Sequence, residues 1–284
     1  MNAELLHWWL SPLALGLLGL CVGSFLNVLI YRLPVMLERQ WKRDACEMLE
    51  LPLPEEGAPF NLAVPRSRCP HCGHTIRWHE NLPVLGWLRL GGRCAQCKAR
   101  ISIRYPLVEL LTGVLFGAVA WKLGPQPSAL LWCGVMAVLV ALAFIDWDTT
   151  LLPDDLTLPL LWAGLVAAAL GWNLPLGTAL WGAVAGYLVL WAVYWLFKLT
   201  TGKEGMGFGD FKLLAAIGAW LGWSMLLPVL IIASVLGTVV GLGMKATGQL
   251  REDRYVPFGP FLAGAGIAVF LIGPSTVSAW LGWY

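Results

Sequence analysis

The stretch SALLWCGVMAVLVALAFIDWDTTLLPD, residues 128–154, decides what kind of protein this is. Its first eighteen residues, 128–145, carry no charge and then run into Asp146. Eighteen apolar residues are near the minimum for a helix crossing a hydrocarbon core of about 30 Å. A carboxylate at that depth costs about 2.5–3.5 kcal/mol on insertion scales, so it marks a proton path, an ion site or chemistry. A second aspartate, Asp210, closes the phrase GMGFGD at residues 205–210, just ahead of another long apolar run. Two such carboxylates point to acid–base catalysis inside a membrane.

Working outward, the whole chain has the composition of a polytopic membrane protein. Apolar residues make up 58% and charged residues 13%, against about 25% charged in a soluble domain. The net charge of +2 gives no sign of a nucleic-acid partner. Apolar runs, uncharged but for Glu109 and Lys212, mark spans at 10–31, 106–121, 128–145, 156–172, 176–197, 211–223, 225–244 and 257–281. The expected fold is therefore an all-α polytopic membrane protein of about eight transmembrane helices, with the bilayer as a partner.

The charges fix an orientation. From Arg32 to Arg104 lie twelve Lys/Arg and seven Asp/Glu. Placing this segment in the cytoplasm, as the positive-inside rule requires, also puts Lys198, Lys203, Lys212, Lys245, Arg251 and Arg254 inside. Lys122 is the exception. The N-terminus has only Glu4 and His7 before its first apolar run, so it is expected outside, with an uncleaved first span. Residues 213–244 hold 32 uncharged residues, cramped for two spans and too long for one. Two short spans agree with the charges, and they draw Asp210 toward the membrane on the same leaflet as Asp146.

The cytoplasmic segment carries Cys69, Cys72, Cys94 and Cys97, two Cys-x-x-Cys knuckles separated by 21 residues. That gap lies just beyond the usual 15–20 of a structural zinc site. Four thiolates close a tetrahedral shell and leave no open position, so one structural Zn is expected. A disulfide pair is the rival reading, opposed by a reducing cytosol. His71, His74 and His79 read as solvated loop histidines, and Gly73 suits a tight turn. Residues 35–54 read as an amphipathic segment on the inner leaflet, followed by a loop with Pro52, Pro54, Pro59 and Pro65. Cys21 and Cys133 read as packing residues.

Milder jobs suit the neighbouring carboxylates. Asp154 and Asp155 precede a helix, and one can cap it; Asp148 points away from Asp146 on a helix. Capping of the next helix is also open to Asp210. As a pair, Asp146 and Asp210 make chemical sense. Carboxylates about 4 Å apart repel by about 4 kcal/mol at an effective dielectric of 20, so they tend to share one proton. One then acts as base on water while the other polarises a peptide carbonyl.

The chain resembles the bacterial type IV prepilin peptidases, bifunctional leader peptidases and N-methyltransferases of the Gly-x-Gly-Asp membrane aspartyl protease class. The resemblance runs nearly end to end: GSFLNVLIYRLP at 23–34, both knuckles, RYPLVE at 104–109, residues 146–154 and 202–212, and PFGP at 257–260. It implies that Asp146 and Asp210 are catalytic and that the four cysteines bind zinc. Glu38 and the Gly91-Gly92 turn match positions linked with methylation. It further implies cleavage of the basic leader from type IV prepilins and type II secretion pseudopilins. Methylation of the new N-terminal residue, usually Phe, with S-adenosylmethionine then follows. The implied location is the bacterial inner membrane, with the active site facing the cytoplasm. Three regions result: a first helix at 1–31 with a periplasmic N-terminus, a zinc-binding insert at 32–105 linked to methyl transfer, and a protease domain at 106–284. Glu38, Glu47, Glu50, Glu55 and Glu56 could attract the leader, although a solvated face explains most of them.

Two rival readings belong to other classes. An ion-coupled transporter would use the aspartates as a relay, but its sites sit at the midplane of repeated broken helices. The other is a methyltransferase or scaffold with a decayed protease site.

Overall fold

A computed structural model describes residues 7–53, 57–248 and 256–282. Glu4, Pro54, Glu55, Glu56, Arg251 and Arg254, which entered the reading of the sequence, lie outside the described residues. The architecture is helical; among the described residues the only extended pairings are isolated bridges in the insert. Two compact units divide the chain, Met1–Ala137 and Val138–Tyr284.

The first unit contains α1 (Pro12–Met48), α2 (Leu85–Arg89), α3 (Arg104–Leu123) and the start of α4 (Pro127–Thr149). Ser11 caps α1 through the Ala14 N–H at 3.3 Å, with Pro12 opening the helix. Gly19 and Gly23 let α1 and α3 meet backbone to backbone. A Cβ on Gly19 would stand 2.7 Å from the Thr112 carbonyl oxygen, and one on Gly23 2.6 Å from the Glu109 Cα. Small residues at the crossing are how helices associate in lipid, where apolar burial alone gives no preference. One expectation changes here: residues 35–48 are not a separate amphipathic segment. They continue α1 without a break through Pro34.

The insert between α1 and α3 is held at both ends. Buried Arg32 donates to the carbonyls of Asn61 at 2.7 Å and Pro65 at 2.6 Å, fixing the loop after α1. Near α3, the Val84 N–H donates to the Glu109 carboxylate at 2.7 Å. Trp87 of α2 donates to the Ile101 carbonyl at 3.2 Å.

The second unit takes the end of α4 and then α5 (Asp154–Ala169), α6 (Leu176–Thr201) and α7 (Phe208–Leu221). A 3-10 turn at Trp223–Met225 leads into α8 (Leu226–Ala246), followed by α9 (Gly259–Ile272) and α10 (Pro274–Trp280). At its centre runs α7, with eleven of its fourteen residues buried. Gly182 of α6 and Gly218 of α7 bring these two helices into backbone contact. On the α5 side, Trp220 donates its ring N–H to the Leu160 carbonyl at 2.9 Å.

Seven of the eight expected runs form one helix each and the last, 257–281, forms two, α9 and α10, but the number of spans is corrected. Among the described residues, five helices are long and apolar enough to cross a membrane, or six if α9 and α10, bent by 95°, count as one. The two that fall short are α5, with 16 residues, and α7, with 14. At 1.5 Å per residue they reach about 24 and about 21 Å, against a core of about 30 Å. Sheathed by neighbouring helices, α7 need not match the bilayer at all. This is how the cramped run 213–244 is resolved.

Candidate active site and metal centre

Asp146 lies on the last turn of α4, buried beneath the start of α9. Its Oδ2 accepts the Gly259 N–H at 2.9 Å. A side chain at 259 would collide with this carboxylate, so glycine is what permits the approach. After Thr149 the chain turns at Thr150, with φ +54°, and reaches Leu152 and Pro153 before α5 starts. Buried Leu152 packs against Gly209 on one side and Gly259 on the other. One leucine thus wedges between the two glycine phrases and beside Asp146.

Asp210 is the third residue of α7, whose N-cap is Gly207. The capping alternative for Asp210 therefore fails, because no side-chain capping bond is made there. The carboxylate is buried, its Oδ1 has no protein partner, and Asp146 lies within Coulombic reach. The helix N-terminus favours negative charge at this point. The unit thus holds two buried carboxylates within Coulombic reach of each other, one anchored by a backbone N–H and one with an oxygen that no protein group among the described residues binds.

The milder assignments for the other aspartates change in detail. Asp148 is exposed on the same helix as Asp146 and points elsewhere, as expected. Asp154 does not cap α5, because Pro153 holds the cap position. It accepts Lys212 Nζ with both oxygens at 2.7 Å instead.

In the insert, the four cysteines converge. Each knuckle is a tight loop closed by one isolated bridge, Arg68 with Thr75 and Arg93 with Arg100. Gly73, at φ +72°, and Lys98, at φ +60°, make the equivalent turns. The Sγ atoms of Cys69 and Cys97 are 3.7 Å apart and those of Cys72 and Cys94 3.9 Å, all four lying within 4.8 Å of one another. Thiolates around a tetrahedral ion with bonds of about 2.3 Å stand about 3.8 Å apart, so the donor set fits one metal ion. The N–H groups of Cys97 and Gln96 pull the Cys94 thiol down to about 6. Cys97 goes the other way, to about 11: the Ala99 N–H lowers it, but burial and the surrounding thiols outweigh that. A cation at the centre would favour the thiolate at every position.

Two family models cover most of the chain: the Bacterial Peptidase A24 N-terminal domain over residues 17–123 and the Type IV leader peptidase family over 133–242. The chain is 52% identical to a prepilin leader peptidase/N-methyltransferase of Stutzerimonas stutzeri over 95% of both chains. The chain belongs to that family. A homologue of the same name from Aeromonas salmonicida is 52% identical over 98% of this chain and 96% of its own. One from Pseudomonas aeruginosa is 50% identical over 93% and 91%. No solved structure matches the chain.

Other residues singled out in this family member are placed unevenly. Glu38 is exposed on α1 and pairs with Lys42 one turn on, at 2.8 Å. Gly91 is open, at φ +59°, while Gly92 is pressed against the Trp87 ring. Among the described residues no hydrogen bond joins Glu38 to that turn. Glu47 and Glu50 are exposed, as is His71, whereas His74 bonds Glu80 at 3.0 Å. Cys133 is buried, but Cys21 is exposed, so it is not a packing residue. Two groups have no part in the site as the sequence reading drew it. Lys212 follows the glycine phrase too closely to be weighed apart from Asp210. Glu109 is a charge in an apolar run, the signal that singles out Asp146, and that signal could have found it.

Proposed function

We propose that this protein cleaves the basic leader from type IV prepilins with Asp146 and Asp210, then N-methylates the new N-terminal residue. Support comes from the family, whose named members are prepilin leader peptidase/N-methyltransferases. The observation that carries the reading is the buried, unpartnered Oδ1 of Asp210 within Coulombic reach of an Asp146 held by Gly259. Neighbouring carboxylates tend to share one proton. The ionised one takes a proton from water, which attacks the peptide carbonyl, while the protonated one donates a hydrogen bond to the carbonyl oxygen and later a proton to the leaving amine. Pseudopilins of type II secretion present the same chemistry and are included as substrates.

The same reading places the protein in the bacterial inner membrane with the pair facing the cytoplasm. Lys198, Lys203, Lys212 and Lys245 then share a side with the insert, as the positive-inside rule asks. The ion in the insert is one structural Zn, matched by four thiolates with no open position. Residues 1–31 form the first membrane helix, 32–105 serve methyl transfer, and 106–284 carry proteolysis. S-adenosylmethionine supplies the methyl group when bound. Glu38 offers an exposed carboxylate for it, and the Gly91-Gly92 turn an open backbone at Gly91.

Separate Asp146→Asn and Asp210→Asn variants, purified in detergent with prepilin, test the reading. Each should lose cleavage by at least about 100-fold, the low end of general acid–base contributions, yet still methylate a pilin that is already cleaved. Cleavage at the parental rate by either variant removes the dyad.

A further inference from the structure

The insert does not stop at the membrane surface. On α1 the apolar run ends at Arg32. Ser24 lies eight residues before it, about 12 Å deeper along the helix axis. The Glu109 carboxylate of α3 bonds Ser24 and also accepts the Val84 N–H at 2.7 Å. Asn27 of α1 donates to the Tyr105 carbonyl at 3.1 Å, which sets the same register between the two helices. Val84, although part of the charged insert, is therefore drawn up beside the apolar stretch of α1, inside the level of Arg32.

This explains the one buried carboxylate of α3. Irregular backbone at membrane depth survives only if its polar groups are satisfied by protein. Val84 sits at φ +59° ahead of α2, where no carbonyl takes its N–H. Glu109 is the acceptor that lets the chain turn there. From that turn α2 shows two faces. Gly86 packs on the Glu80 backbone and Trp87 on Gly92, toward the insert. Leu85 and Leu88, one turn apart on the other face, remain 65% and 59% exposed. On α3, which Val84 meets through Glu109, Leu107, Leu110 and Val114 are likewise exposed, on a helix apolar enough to span.

We propose that residues 82–89 form a re-entrant element whose leucine face is embedded in lipid. It continues the lipid-facing surface of α3, and Glu109 is its anchor. Arg89 ends the element and suits an anionic headgroup, with its stem lying along apolar surface. The proposal rests on the topology above only for which leaflet is entered, not for the embedding itself.

The test uses the full chain in liposomes of phosphatidylcholine with phosphatidylglycerol. Leu85 and Leu88 are replaced, one at a time, by the photo-crosslinker p-benzoylphenylalanine. Exposed Arg66, elsewhere in the insert, is the aqueous control. After irradiation, intact mass spectrometry should find phospholipid adducts at 85 and 88 severalfold above those at 66. Adduct levels equal to the control, or crosslinks to a second chain or to added prepilin instead of lipid, overturn it. The crosslink reads contact rather than activity, so it stands or falls apart from the aspartate variants.

Discussion

Asp146 and Asp210 are buried by different means, and their substitutions should separate accordingly. The Gly259 N–H has its acceptor in Asp146, so Asp146→Ala strands a buried donor. Such a loss costs about 1–3 kcal/mol. Asp210 Oδ1 has no partner to lose, and Asp210→Asn removes a buried charge at little structural cost. Thermal unfolding in detergent should therefore show a lower midpoint for Asp146→Ala and an unchanged or higher one for Asp210→Asn, while both should fail to cleave prepilin. A fall of equal size in both would mean that the two carboxylates are structural partners. Both residues are legible in the sequence because a charge beside an apolar run is rare. Their closeness is not legible, because it depends on Leu152 wedging between Gly209 and Gly259, three residues that lie far apart along the chain.

Between elements, the ion pair of Lys212 and Asp154 ties the second turn of α7 to the first turn of α5. It joins the segment bearing Asp210 to the one that follows Asp146. Both partners are partly exposed, so the pair adds little stability, about 0–1 kcal/mol. Its value lies in placement, where an error of 1 Å can cost about 100-fold in rate. Lys212→Ala should lower kcat for prepilin cleavage by about 10–100-fold while KM and the unfolding midpoint barely move. Combining it as Lys212→Asp with Asp154→Lys should recover part of the rate. Recovery stays partial because a lysine in the first turn of α5 opposes the helix dipole that Asp154 complements. If the swap is no better than Lys212→Ala, the pair is an ordinary surface contact. The existence of α5 and α7 is readable from uncharged runs, but their shortness is not. An apolar run looks the same whether lipid or protein surrounds it, and only the packing around α7 tells that protein does.

At the scale of the whole molecule, the two units rest on different forces. The second holds together by helices in backbone contact around α7. In the first, α1 and α3 meet through glycines, but the insert's two knuckles are joined through four thiols, with Cys69 next to Cys97 and Cys72 next to Cys94. The spacing of the cysteines makes this thiol cluster the most legible feature of the chain. The loop held by Arg32 is not legible, because a guanidinium bonded to carbonyls leaves no mark in sequence. Structural zinc in small domains contributes about 10–16 kcal/mol of apparent binding free energy to folding. Its loss should therefore unravel the insert and leave the glycine-packed helices standing. Cys72→Ser should lower bound zinc well below one ion per chain and abolish methyl transfer, while prepilin cleavage persists. Metal analysis, cleavage and methylation of a pre-cleaved pilin, all measured on one preparation, check this. If cleavage declines in step with methylation, the insert is part of the protease and the division of labour along the chain is wrong.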